Sequence, residues 1–176
     1  MKKFIGFALV CVCVMVSCHR VKPQSPSQRT SDETTTKEDS VQFATQQFNQ
    51  RMAQAADDQL AAYVRNSNGD EEYALHDFGL WFSLVKETEG EPYERQQKAA
   101  VHVVVTTLDD KPLLDIIQTI TVGKSEIARC VDFALFEMRR GEQARLLAPW
   151  YIAFGITGDL NVPPYENVKI DLYSLD

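Results

Sequence analysis

Beyond residue 18 the 176-residue chain holds a single cysteine, Cys130, because the other three, Cys11, Cys13 and Cys18, crowd into its opening stretch. No intrachain disulfide framework can staple the rest. Histidine is equally sparse: His19, His76 and His102 lie far apart, with no second Cys or His at ligand spacing, so no metal site is expected. Positive charge is also short, 18 Lys and Arg against 25 Asp and Glu, and no basic stripe interleaves with aromatics. An acidic surface repels phosphate and releases no counterions on contact with it, which excludes nucleic acid as a partner. There is no G-x-S-x-G, P-loop, H-E-x-x-H or G-x-G-x-x-G, so hydrolase, nucleotide-binding and dehydrogenase readings have no support, and no cofactor is called for. Aromatics are not lacking. Nine Phe, six Tyr and two Trp suffice to fill one modest core, and the length leaves room for one compact domain once the front of the chain is subtracted.

Residues 1–17 read as a secretory leader: Lys2 and Lys3, an apolar run from Phe4 to Val16 too short to span a bilayer comfortably, then Ser17. The Ser17-Cys18 junction, with Met15 and Val16 before it, resembles the lipobox of bacterial lipoproteins, which implies that Cys18 is the lipidation site and the new N-terminus. An ordinary cleaved leader with Cys18 a bystander is the alternative. Residues 18–40 carry two Pro, many Ser and Thr, and one clearly apolar side chain, Val21. Such a stretch cannot offset its chain entropy by burial and is predicted to be a disordered tether. The expected location is the bacterial cell envelope, as a membrane lipoprotein on the outer membrane facing the periplasm.

From Val41 the pattern turns helical. Phe48, Met52, Ala56, Leu60, Tyr63 and Val64 recur at three- and four-residue steps, Asp39 or Ser40 can cap the start, and Asn-Ser-Asn-Gly at 66–69 ends it. This predicts an amphipathic helix over 41–66, whose stripe either packs on its own domain, the preferred expectation, or pairs with a second copy. Residues 72–176 read as strands around one further helix. Strands are predicted at 78–86, 99–107, 116–122, 143–148 and 167–175, the last alternating Val168, Ile170 and Leu172 with Lys169, Asp171 and Tyr173. The helix, capped by Ser125 and ended by Gly141, carries Ile127, Val131, Ala134, Leu135 and Met138 on one face. Antiparallel strands with one covering helix make an α+β domain.

The stretch LFEMRRGEQARLLAPWYIAFG (135–155) and, after a short loop, VPPYENVKIDLYSLD carry an ordered string: Met138, Gly141-Glu142, Ala144-Arg145-Leu146, Pro149, Ala153-Phe154-Gly155, Pro163-Pro164 and Ile170-Asp171. This string resembles the C-terminal half of the FKBP-type peptidyl-prolyl cis-trans isomerases. VVTTLDDKPLLD (104–115) is similar to the strand and turn in which that family writes Tyr-Thr-Gly-x-Leu-x-Asp-Gly and then Phe-Asp. The likeness runs from residue 99 to 176. DDQLAAYV, GLWFSLVKETEG and the leader look like the lipoprotein isomerases associated with gliding motility in Bacteroidetes.

The resemblance implies an FKBP-like antiparallel sheet half-wrapped around a short helix, with an apolar pocket for a proline ring. Carried over position by position, Asp115, Phe154 and Ala128 would be the catalytic residues and Val104, Leu114, Ile127, Val131 and Ile170 would line the pocket. Val104, Leu114, Val131, Phe154 and Ile170 stand where the family usually has Tyr, Phe, Trp, Tyr and Phe; the Asp is kept, and the segment from Asp115 to Gly123 is shortened. The residues alone allow plainer readings: aliphatics on alternate strand positions are usually core, Asp115 could be a turn acceptor, Trp150 and Tyr151 could pack the sheet edge or form a contact patch, and Cys130 could be a small buried hydrophobe. The implied activity is a weak prolyl isomerase acting on proline-containing exported polypeptides. The alternative is an inactive binding or chaperone module of the same fold.

Overall fold

Alternation of apolar and polar side chains sets the sheet. The computed structural model describes residues 32–67, 72–159 and 161–175. The chain divides into two units, Met1–Ser40 and Val41–Asp176. Of the first, the described part is the opening of helix α1 (Asp32–Asn66). The expected leader, Cys18 and the tether up to residue 31 lie outside the described residues. Residues 32–40, expected as tether, are helical, because no Pro or Gly between 32 and 66 stops the helix before it reaches the predicted cap at Asp39 or Ser40.

In the second unit, strands β1 (Ala74–Leu75), β2 (Trp81–Lys86), β3 (Lys98–Thr107), β4 (Pro112–Thr121), β5 (Gln143–Ala148) and β6 (Val168–Ser174) form one sheet in the order β1-β2-β5-β6-β3-β4. Every pairing is antiparallel. Helix α2 (Arg129–Glu137) covers the inner face. Its Val131, Ala134 and Leu135, with Met138 beyond its end, join Val101, Val103, Val105, Ala144, Leu146, Ile170 and Leu172 in one buried cluster. Each such Val, Leu, Ile or Met side chain contributes about 1.5–3 kcal/mol by leaving water. Ser125 does not cap α2. The helix starts later, with Ala128 at the N-cap in an extended conformation (φ −153°, ψ 152°) and no capping side chain. Asp132 in the first turn instead accepts from the backbone N–H groups of Gly123 and Ser125 and so ties down the preceding loop.

The outer face has its own cover. Leu147 pairs with Trp81 and Lys169, which puts it on the side away from α2, yet it is fully buried. Ala56 and Leu60 of α1 and Trp150 are buried as well, and all four stand apart from the main cluster. Hydrogen bonds join the same parts: Trp150 Nε1 donates to the Met52 carbonyl (3.4 Å), Tyr151 Oη to Asp57 (2.6 Å) and Asn167 Nδ2 to Gln59 (2.7 Å). The predicted stripe therefore splits. Of the stripe, Ala56 and Leu60 are buried while Phe48, which meets Tyr165 edge-on, is exposed; Val41 and Phe43, ahead of the stripe, are exposed too. Trp150 and Tyr151 are part of this docking.

Candidate active site

Three neighbouring strand positions form an apolar floor. Val105 on β3 pairs with Ile170 on β6 to one side and Leu114 on β4 to the other, so the three side chains share the inner face. Val105, Ile170 and Val131 of α2 are fully buried, and Leu114 is half-buried against them. Two loops close in above. One carries Ile127 and Ala128 into α2; the other is the turn after β5, which carries Phe154. The Cys130 N–H donates to the Ile152 carbonyl (3.0 Å), and this bond holds the two loops together. Ile127 and Phe154 are both half-buried against the core. Gly155, at φ +74°, has open space where a side chain would stand, so the turn stays uncrowded beside Phe154.

Ala128 is the chemically distinctive member. The residue is buried, and its N–H donates to no acceptor among the described residues. Buried backbone donors are nearly always paired, and an unpaired one costs about 1–3 kcal/mol. Such a donor, at the start of the helix that packs Val131 on this apolar floor, can take a ligand carbonyl. Phe154 offers only its ring, and Cys130 is enclosed, burial pushing its thiol up to about 12, so it is neither nucleophile nor redox group. Among the described residues no group of three or more His, Cys, Asp or Glu could hold a metal ion.

Two of the sequence-derived residues stand elsewhere. Val104 pairs with Asp115, and both belong to the face opposite Val105 and Leu114. Asp115 is largely exposed and its carboxylate meets His102 Nε2 at 2.7 Å, with the His102 ring stacked on Tyr173. For Leu114 and Asp115 both to face the pocket the strand would need a bulge between them. The β3–β4 register instead runs unbroken from Val105 and Leu114 to Lys98 and Thr121. The shortened segment after Asp115 is the rest of β4, with no loop that could turn the carboxylate inward. The residue missed was Val105. His102 marks the polar phase of AAVHVVVTT, and counting by twos from it puts Val104 outside and Val105 inside.

No protein-family model matches this chain, and no curated protein does. Solved structures do match. A peptidyl-prolyl cis-trans isomerase from Pseudomonas syringae pv. tomato superposes with a TM-score of 0.58 at 16% identity, over 70% of this chain and 93% of that one. FkpA from Escherichia coli gives 0.58 at 19%, over 85% and 74%. The N-terminal domain of FKBP42 from Arabidopsis thaliana gives 0.54 at 21%, over 60% and 91%. The chain has an FKBP-like fold. Within that fold Val105, Leu114 and Ile170 share the inner face, the Ala128 N–H has no acceptor among the described residues, and the carboxylate of β4, Asp115, lies on the opposite face.

Proposed function

We propose that this chain is a slow FKBP-type peptidyl-prolyl cis-trans isomerase, anchored to a bacterial outer membrane through a lipid on Cys18 and acting on proline-containing exported polypeptides in the periplasm. The observation that carries the reading is the Ala128 N–H, without an acceptor among the described residues, at the N-cap of the helix whose Val131 packs in one apolar cluster with Val105, Leu114, Ile127, Phe154 and Ile170. A prolyl amide resists rotation by about 18–20 kcal/mol because resonance is lost when it twists. The twisted carbonyl is less polar than the planar one, so an apolar cavity penalises the transition state less than the ground state. A hydrogen bond to the rotating carbonyl would favour the planar form and oppose catalysis. The Ala128 N–H therefore serves best by holding the neighbouring carbonyl, which anchors the chain while the prolyl amide turns.

Environment and one anchoring bond supply little beyond a few kcal/mol, and each 1.36 kcal/mol is about tenfold in rate. Low activity follows. The assay is cis/trans exchange on peptides that vary the residue before Pro: acceleration that falls with Phe154→Ala supports the proposal, and no acceleration on any peptide by the folded chain overturns it. One observation favours a second reading. With Asp115 turned to the outer face, the hollow has no charged group to bias the amide, which suits a binding or chaperone module that holds proline-containing segments without turning them. Retained binding of prolyl peptides with no exchange would select it.

A further inference from the structure

On the other side of α2 from the sheet lies a cavity of about 590 Å³, between the helix and the segment that leads from β1 into β2. Phe133 and Phe136 of α2 form one wall; Leu75 and Phe78 form the other. Leu75 and Phe78 are 60% and 62% exposed, so two large apolar side chains stand in water at a single groove. Phe78 is stacked on Phe133 with ring centroids 5.1 Å apart and 11° between planes. Its backbone is in the left-handed region (φ 61°, ψ 22°), where a bulky residue is strained. The next residue, Gly79, is also left-handed (φ +77°), and a Cβ there would stand 2.6 Å from Tyr151 Oη and 3.0 Å from Asp57, so a side chain at 79 would be strained and would push that pair aside. A rigid turn thus presents an aromatic ring to solvent instead of folding it inward.

Two further facts narrow the occupant. Among the described residues the lining charges are the carboxylates Asp77 and Glu137, with His76 beside them, while the guanidinium of Arg95 lies over the Phe136 ring at 5.2 Å. The groove also adjoins the two-residue strand β1, which among the described residues pairs with β2 alone and so stands at the sheet edge, where another strand can add. We infer that this groove docks an extended polypeptide that adds along β1, places an apolar or aromatic side chain between Phe78 and Phe136, and carries a Lys or Arg next to it for Asp77 and Glu137. Such a site lies apart from the prolyl pocket and does not depend on that reading.

The test uses the purified full-length chain and a short, proline-free, fluorescein-labelled peptide in which Phe and Leu alternate with Arg. Fluorescence polarisation should show saturable binding that weakens by about tenfold with Phe78→Gly, a change that removes the ring and relieves the backbone. Asp77→Asn with Glu137→Gln should weaken binding of the basic peptide and flatten its salt dependence. Phe154→Ala, in the prolyl pocket, should leave it unchanged. No saturable binding, equal affinity for a Glu-for-Arg peptide, or indifference to Phe78→Gly overturns the proposal. So does a chain that self-associates through this groove, seen as a dimer in sedimentation that Phe78→Gly converts to monomer.

Discussion

Leu60→Ala is the sharpest test of how the molecule is built. Leu60 has no exposed surface and, like Ala56, Leu147 and Trp150, is buried outside the main cluster. Truncation removes three carbons' worth of transfer free energy, roughly 2 kcal/mol, and leaves a cavity whose lining can relax only in part; Leu→Ala in such places costs about 2–5 kcal/mol. A value near 3 kcal/mol should lower the melting temperature of a domain of this size by roughly 10 °C. Phe48→Ala is the control on the same helix. Its ring is 52% exposed, so its truncation should cost less than about 1 kcal/mol. Thermal unfolding of the full chain by circular dichroism reads both. If Leu60→Ala melts like the wild type while sedimentation shows a dimer becoming a monomer, the stripe serves association and the docking of α1 is refuted.

Asp115→Ala should leave prolyl exchange within about twofold of wild type, since only a surface pair with His102 is lost, whereas Ile127→Asp should lower it by about tenfold or more by placing a charge at the rim; an Asp115 variant that loses activity would return the carboxylate to the mechanism. Alkaline stability should fall in a defined way. Burial lifts the Cys130 thiol from 9.0 to about 12, and burial followed by the bond to Asp57 raises the Tyr151 phenol above its ordinary 10.0. The folded state keeps protons that the unfolded chain releases, so this stability is full below pH 9 and lost as pH climbs through the raised values; Tyr151→Phe should flatten the fall in a urea titration. Cys18→Ala should move the protein from the membrane to the soluble fraction, and an intact mass showing no acyl group on the wild type would remove the anchor.

The sheet and the covering helix α2 were legible because strands with strict alternation declare their faces. Val168, Ile170 and Leu172 all lie inside, as their spacing requires. The same alternation settles which face each expected pocket residue on a strand takes. Leu114, Ile127, Val131, Phe154 and Ile170 all belong to the main cluster or pack against it, but Val104 and Asp115 were placed by matching a family pattern instead of by counting from His102. One residue of slip moves a side chain to the opposite face, so the error was complete at both positions. The start of α1 was misread because polarity was taken as disorder; a polar stretch without Pro or Gly can continue a helix that packing stabilises further along. No local pattern announces the groove beside Phe78, because it depends on a helix more than fifty residues downstream in the chain.

The two helices bear on the site from opposite sides of one sheet. α2 supplies Val131 and, at its N-cap, the open donor of Ala128. α1 touches no pocket residue directly, yet it holds the turn that carries Phe154: Met52 accepts from Trp150 and Asp57 from Tyr151, and the Trp150 carbonyl in turn accepts from the Gly155 N–H at 2.7 Å. The same turn grips the start of α2 through the Ile152 carbonyl and Cys130 N–H. A proline pocket acting by shape and dryness alone, as proposed, would depend on such fixing more than one with a carboxylate. If the chain is the prolyl isomerase proposed above, the cover on the outer face serves that function as well as stability, because it holds the turn that carries Phe154, and that turn grips the start of α2 next to Ala128.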